Sequence, residues 1–335
     1  MKKKIILACL AVSVAAGLCG CGSKKVSYDF NLDEYVTVGK YKGLEVSADE
    51  IQTEYDSTIT SLQSQYTTSE TVTDRGIQED DSVSVDYTLT SGDTELESQQ
   101  SYTVTVGSGS KDFENSLIGH VTDDTYTETV TLPDDYSNAD YAGAEATYSI
   151  TVGKITAYDV PEIDDAFIAE KYIDKYSSYS EFESATRKNF KEELLWDMVT
   201  EGSEILKYPE KNIRTYYDNY INYYTNMYQS YANSMNTTIE SVYSMMGTSA
   251  QQIYKQSADA AKSDVVKEML ALSIANAENI VIDDDSYTSR LEEMYSDYGY
   301  DSAKAMEKAV GKEAIKRIMI EQDVLQMIND NSTEI

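Results

Sequence analysis

The period of the apolar residues changes twice along this 335-residue chain, and that double switch constrains the fold more than any single motif. Ile51, Tyr55, Ile59, Leu62 and Tyr66 fall three or four apart behind Ser47, and Glu50 completes a capping-box pattern, so a helix is expected there. From Ser82 the period becomes two. Val83, Val85 and Tyr87 alternate with Ser84, Asp86 and Thr88, and the alternation returns at Tyr102 to Val106, Tyr126 to Leu132 and Ala146 to Ile155. Turn signals Ser91-Gly92-Asp93 and Gly107-Ser108-Gly109-Ser110 separate these runs. Four or five short strands with one brief helix near Phe113 to Ile118 describe a small antiparallel sheet domain.

After Pro161 the period is helical again. Ser180 and Glu183 suggest a second capping box ahead of Phe182, Leu194, Leu195, Trp196 and Leu206. Pro209 suits the first turn of a further helix carrying Ile213, Tyr216, Tyr217, Tyr220, Tyr224, Met227, Tyr228, Tyr231 and Met235. More helices are expected at 239–246, 250–280, 284–298, 302–310 and 314–328, in the manner of arms more than of a compact bundle. The fold class is therefore α+β, with an antiparallel sheet and short helix ahead of an extended all-α part.

Ahead of all this, Lys2-Lys3-Lys4, the apolar run Ile5 to Leu18 and Leu18-Cys19-Gly20-Cys21 have the three regions of a secretory signal ending in a lipobox. Lipidation of Cys21 after export is the expectation, with ordinary cleavage and release as the alternative. Cys9, Cys19 and Cys21 are the only cysteines, so no disulfide or thiol chemistry is expected in the processed chain. His120 is the only histidine, which removes imidazole triads and zinc-hydrolase patterns. It reads as a loop residue, and Trp196 as a helix-packing one. Without residues 1–20 the chain has 24 basic and 59 acidic residues, a formal charge of −35. Nucleic acid and anionic lipid headgroups are poor partners for that surface. The charge either keeps an exported protein soluble beside an anionic wall or attracts basic unfolded chains.

Several stretches resemble the trigger factor family of folding chaperones, in the family's order. Val36 to Val46 is similar to the lead into that family's isomerase domain, and Val83 to Thr90 with Ser91-Gly92-Asp93 resembles the first strands of an FKBP-type domain. Val106 to Ser110, Phe113-Glu114 and Leu117-Ile118-Gly119 resemble its central loop and helix. Leu132 to Tyr136 and Tyr141 to Ala146 resemble its late loop and last strand, and Val160 to Phe167 the exit into the chaperone arms. The resemblance starts after the ribosome-binding domain of that family. It implies an exported lipoprotein form organised as signal peptide 1–20, tether 21–35, a strand-helix segment 36–80 joining the chaperone body, an FKBP-type isomerase-like domain 81–158 and helical chaperone arms 159–330.

What the resemblance implies chemically is peptidyl-prolyl cis-trans isomerisation, which needs neither metal nor cofactor. The rotation barrier of about 18–20 kcal/mol is lowered when an apolar pocket binds the twisted bond and withholds water. By resemblance, Tyr87 and Leu96 would form one wall, Phe113 the floor, Tyr136 the lid and Tyr148 the opposite wall, with Glu97 at an often acidic position. Only Lys111 and Asp112 stand where family members usually carry an Ile-Pro-Gly-like element, and the other reading of Tyr87, Phe113 and Tyr148 is that they fill the core. Tyr217, Tyr220, Tyr224, Met227 and Tyr231 are the candidate client-binding residues, since Met and aromatic side chains adapt to varied apolar partners; packing between helices is the alternative. The function implied is a membrane-anchored, ATP-independent foldase on the extracytoplasmic face of a bacterial membrane. Its partners would be unfolded or nascent exported polypeptides, not the ribosome. The alternatives are a chaperone with an inactive isomerase domain, or a ligand-binding or adhesive surface lipoprotein.

Overall fold

A computed structural model describes Tyr28 and residues 30–335 except 174; the signal segment and Cys21 lie outside the described residues. Its elements in chain order are β1 (Val36–Thr37), β2 (Glu45–Val46), α1 (Ala48–Tyr66), β3 (Thr68–Thr71), β4 (Ser82–Ser91), β5 (Thr94–Thr105), β6 (Thr125–Thr131), β7 (Glu145–Asp159), α2 (Asp165–Lys171), α3 (Tyr179–Glu201), β8 (Glu204–Ile205), α4 (Glu210–Ser234), α5 (Ile239–Met245), α6 (Ala250–Glu278), α7 (Asp284–Met294), α8 (Ala303–Val310), α9 (Lys312–Asp330) and β9 (Thr333–Glu334). They sort into two compact units. One is Glu54–Ser184; the other joins the chain up to Thr53 with Ala185–Ile335. The α+β class read from the two apolar periods is the class observed.

In the first unit five strands form one antiparallel sheet in the order β3-β7-β4-β5, with β6 on the same edge of β7 as β3. Alternation does what a one-sided sheet requires: Val83, Val85, Tyr87 and Leu89 on β4 are almost fully buried, as are Tyr148, Ile150, Val152 and Ile155 on β7. The pairing Leu89 with Tyr148, Tyr87 with Ile150 and Val85 with Val152 keeps both apolar rows on one face. Strand β3 is Thr-Ser-Glu-Thr and wholly exposed, so alternation cannot signal it; backbone pairing to Thr156–Asp159 makes it a strand. The brief helix is a 3-10 turn, Glu114–Leu117.

The helix caps show where local reading holds and where it slips. The Glu50 N–H donates to Ser47 Oγ at 3.2 Å, as the capping box requires. The second box lies two residues earlier than Ser180 and Glu183 suggest: α3 starts at Tyr179, Ser178 Oγ accepts from the Glu181 N–H at 3.2 Å, and Glu181 Oε2 accepts from the Ser177 N–H at 2.7 Å. Tertiary packing selects among the clustered serines, because this start buries Phe182 with Tyr55, Leu62, Phe167 and Ile168.

The second unit is organised by α6. Its later turns bury Val265, Met269, Leu270, Leu272 and Ile274 against Leu195, Trp196 and Val199 of α3, Met306 and Val310 of α8, and Ile315, Met319, Ile320 and Val324 of α9. Trp196 is a packing residue here. Gly39 lies against the Gly202 carbonyl, where an added Cβ would sit 2.0 Å from the oxygen, a physical reason for glycine in the Val38-Gly39 segment. The arm-like part is α4, α5 and the first turns of α6, joined by a small cluster of Tyr228, Ala232, Val242 and Ile253.

Candidate functional site

The five residues expected to line an isomerase pocket share one cluster. Tyr87 lies 5.2 Å from Phe113 and 5.6 Å from Tyr148 between ring centroids, and Phe113 lies 4.9 Å from Tyr148. All three rings are tilted or edge-on, the arrangement that aromatic quadrupoles favour. Leu96 and Tyr136 are half-buried and pack against the same core. Yet Tyr87 is 2% exposed, Phe113 0% and Tyr148 3%, so the three rings are packed as core.

Lys111 covers them. Its ammonium lies 5.2 Å from the centre of the Tyr87 ring and 5.5 Å from that of Tyr102, and pairs with Glu97 Oε1 at 2.9 Å. The Tyr87 hydroxyl donates to the same carboxylate. Burial pulls the ammonium pKa down, but the hydrogen bonds to Tyr87 and Glu97 outweigh it and hold Lys111 above the usual lysine range. Burial pushes the Tyr148 phenol up to about 12. The cluster is therefore neutral aromatic rings under a lysine–glutamate pair. Both charges come from residues that the sequence marks weakly, one as half of a short loop and one as a family-typical acid.

Glu114 holds that loop in place. It is 3% exposed and accepts from Gly109 N–H at 2.7 Å, Lys111 N–H at 2.8 Å, Ser110 Oγ at 2.6 Å and Ser108 Oγ at 3.0 Å. Burial raises its pKa; the four donors outweigh that and bring the carboxyl down to about 2. The signal for this role is present in the chain: a Gly-Ser-Gly-Ser run, whose amides and hydroxyls want an acceptor, followed by an acid at the first turn of a helix. His120 is in the loop after that helix, stacked on Tyr126 at 3.9 Å with Nδ1 3.1 Å from Asp124. A cavity of about 790 Å³ lies elsewhere, along β7 between β3 and β6, lined by Arg75, Asp74, Asp123 and Lys154 among others.

The tyrosine stripe of α4 divides between packing and surface. Tyr220 is buried, with its hydroxyl on Asp264 of α6, and Tyr224 and Met227 pack on the Tyr228 cluster. Tyr217 is half-buried, while Tyr231 is 43% exposed. Exposed apolar side chains occur at several places, Val160 and Ile173 among them, and one group stands at the far end of α4: Tyr231 and Met235 there, Met245 and Met246 closing α5, and Tyr254 near the start of α6, with the methionines 49–63% exposed. That end is also nearly uncharged. Over residues 219–254 Glu240 is the only charged side chain, in a sequence that is 26% charged overall. This neutral gap is the signal that points to the tip, and helical periodicity does not reveal it.

The family described as bacterial trigger factor protein C-terminus matches residues 172–329. The trigger factor of Lacticaseibacillus casei is 26% identical over 314 residues, covering 90% of this chain and 70% of that one. The trigger factor of Staphylococcus epidermidis is 27% identical over 332 residues, covering 91% and 74%, and that of Halothermothrix orenii is 31% identical over 187 residues, covering 51% and 43%. A solved structure of the trigger factor chaperone aligns with 88% of this chain and 72% of its own at 16% identity and a TM-score of 0.31, too loose a superposition to bear on the fold. Sequence matches that run from the strand-rich part through the helices, together with the C-terminal family match, make the conclusion direct: the chain belongs to the trigger factor family.

Proposed function

We propose that this protein is an ATP-independent chaperone that holds unfolded exported polypeptides at the outer face of a bacterial membrane, anchored by lipid on Cys21. The observation that carries the chaperone reading is the tip of the α4–α6 arm, where Tyr231, Met235, Met245, Met246 and Tyr254 expose apolar surface in a segment with one charge. Flexible thioethers and amphipathic phenols adapt to many apolar sequences. A neutral tip also lets acidic clients approach a strongly anionic protein.

The test is an aggregation assay on the full-length chain with several unfolded clients. Replacing Tyr231, Met245, Met246 and Tyr254 together by serine is expected to raise the concentration needed for half-suppression at least about fivefold, a loss near 1 kcal/mol. Unchanged holding would remove the tip from the mechanism. The anchor is read by fractionating cells that express the full chain: Cys21→Ser is expected to move the protein from the membrane to the soluble fraction.

Isomerase activity is the second reading, supported by the clustering of Leu96 and Tyr136 with the three buried rings. In the conformation described, Lys111 stands over Tyr87, so catalysis requires that loop to move. Lys111→Ala is expected to increase the rate of a proline-limited refolding reaction at least about threefold over the parent. A rate equal to the uncatalysed one in both proteins would leave the sheet unit as a binding or structural module.

A further inference from the structure

The methionines are sorted by exposure in a way the client reading does not require. Met269, Met306 and Met319 are 0% exposed and Met294 is 8%. Met227 and Met327 are half-buried, and Met198 is 36% exposed. The three well above that value, Met235 at 55%, Met245 at 63% and Met246 at 49%, all stand where α4 and α5 end. None of the three is among the residues that form or pack against the small Tyr228, Ala232, Val242 and Ile253 cluster. The cluster therefore stays packed whatever happens to the thioethers.

We propose that Met235, Met245 and Met246 are a site of oxidation to methionine sulfoxide that switches off client capture by the arm tip. The inference rests on the client reading above. The oxidant is a peroxide, the class of two-electron oxidant that an exported protein meets outside the reducing cytoplasm. The thioether sulfur attacks the terminal peroxide oxygen, the S–O bond forms as O–O breaks, and proton transfer to the departing oxygen releases water when the peroxide is hydrogen peroxide. Sulfur gains the oxygen and is oxidised by two electrons, and the peroxide is reduced by the same two. The product carries a strong S=O dipole in place of a soft apolar sulfur, so the surface loses the chemistry that makes it adaptable. Solvent access sets the rate of such attack, and the buried methionines provide an internal control. With no cysteine in the described residues, thiols there do not compete for the oxidant.

The test treats the full-length chain with limiting hydrogen peroxide and follows each methionine by peptide mass mapping, with aggregation suppression measured on the same aliquots. Met235, Met245 and Met246 are expected to oxidise at least about tenfold faster than Met269, Met306 and Met319. Holding should fall about fivefold as they do, and return on incubation with a methionine sulfoxide reductase and a dithiol. In the variant carrying Met235→Leu, Met245→Leu and Met246→Leu the ratio of holding after oxidant to holding before it is expected to stay near one, against about one-fifth in the parent; an equal fivefold fall in both overturns the assignment to these three residues. Uniform oxidation across the chain, or complete tip oxidation with holding intact, overturns the proposal. Parent protein that holds no client before oxidant overturns the client reading and the switch with it, and the mapping then still reports the oxidation pattern separately.

Discussion

Phe113→Ala is expected to destabilise the sheet unit by about 3–5 kcal/mol, the usual cost of emptying a large aromatic site in a packed core. Phe113 has no exposed surface and touches both Tyr87 and Tyr148, whose strands pair through the centre of the sheet. Removing the ring leaves those partners facing a void that a sheet with fixed register cannot collapse around. Hydrogen exchange of the β4 and β7 amides measures this directly, with protection dropping by two to three orders of magnitude for about 3–4 kcal/mol. Trp196 packs in the helical unit, so its fluorescence should stay nearly native at low denaturant. Unchanged exchange in β4 and β7 would show that the ring is not a core element. The result also governs activity measurements: loss of isomerisation in Phe113→Ala reports unfolding as readily as chemistry, whereas Lys111→Ala leaves the aromatic core in place.

Glu114→Gln is expected to cost about 2–3 kcal/mol in the same unit, since an amide cannot replace a carboxylate that accepts four hydrogen bonds while buried. The pH dependence has a definite sign. The folded carboxyl titrates at about 2, below the ordinary 4.5, so its contribution is complete above pH 4.5 and is lost as pH falls towards 2. Denaturant titrations of parent and variant should therefore differ most at pH 5–7 and converge between pH 4.5 and pH 2. A difference that stays constant over that range would mean the charge is not what organises residues 108–111.

These two neighbouring residues mark the limit of what could be read locally. Phe113 was legible through the resemblance of its segment to an FKBP-type domain, which offered it as a pocket floor, with core filling as the other reading. Glu114 looked like one acid among 59, and its role depends on four donors that only the folded turn converges on it. Lys111 is similar: two residues in a short loop say nothing of where an ammonium goes, yet the cation sits over rings contributed by β4 and β5. On α4, period 3.6 located the tyrosine stripe. It could not separate Tyr220, which donates to Asp264, from Tyr231, which faces solvent, because both fall on helical spacing and only the path of α6 distinguishes them.

The succession of a helix, a strand-rich part and a long helical part, the sheet face that turns inward and the approximate ends of the longer helices follow from the sequence by itself, because they depend on periods of two and 3.6 and on caps within a few residues. The tertiary structure alone decided the start of α3, the strand at Thr68–Thr71 and the closure of the aromatic cluster by Lys111 and Glu97. It also decided the buried pairing of Glu268 with Arg317 and Tyr216 in the helical unit. Each of these joins groups far apart in the chain or chooses between equally good local options, and the energy that settles such choices comes from burial and from satisfying buried polar atoms.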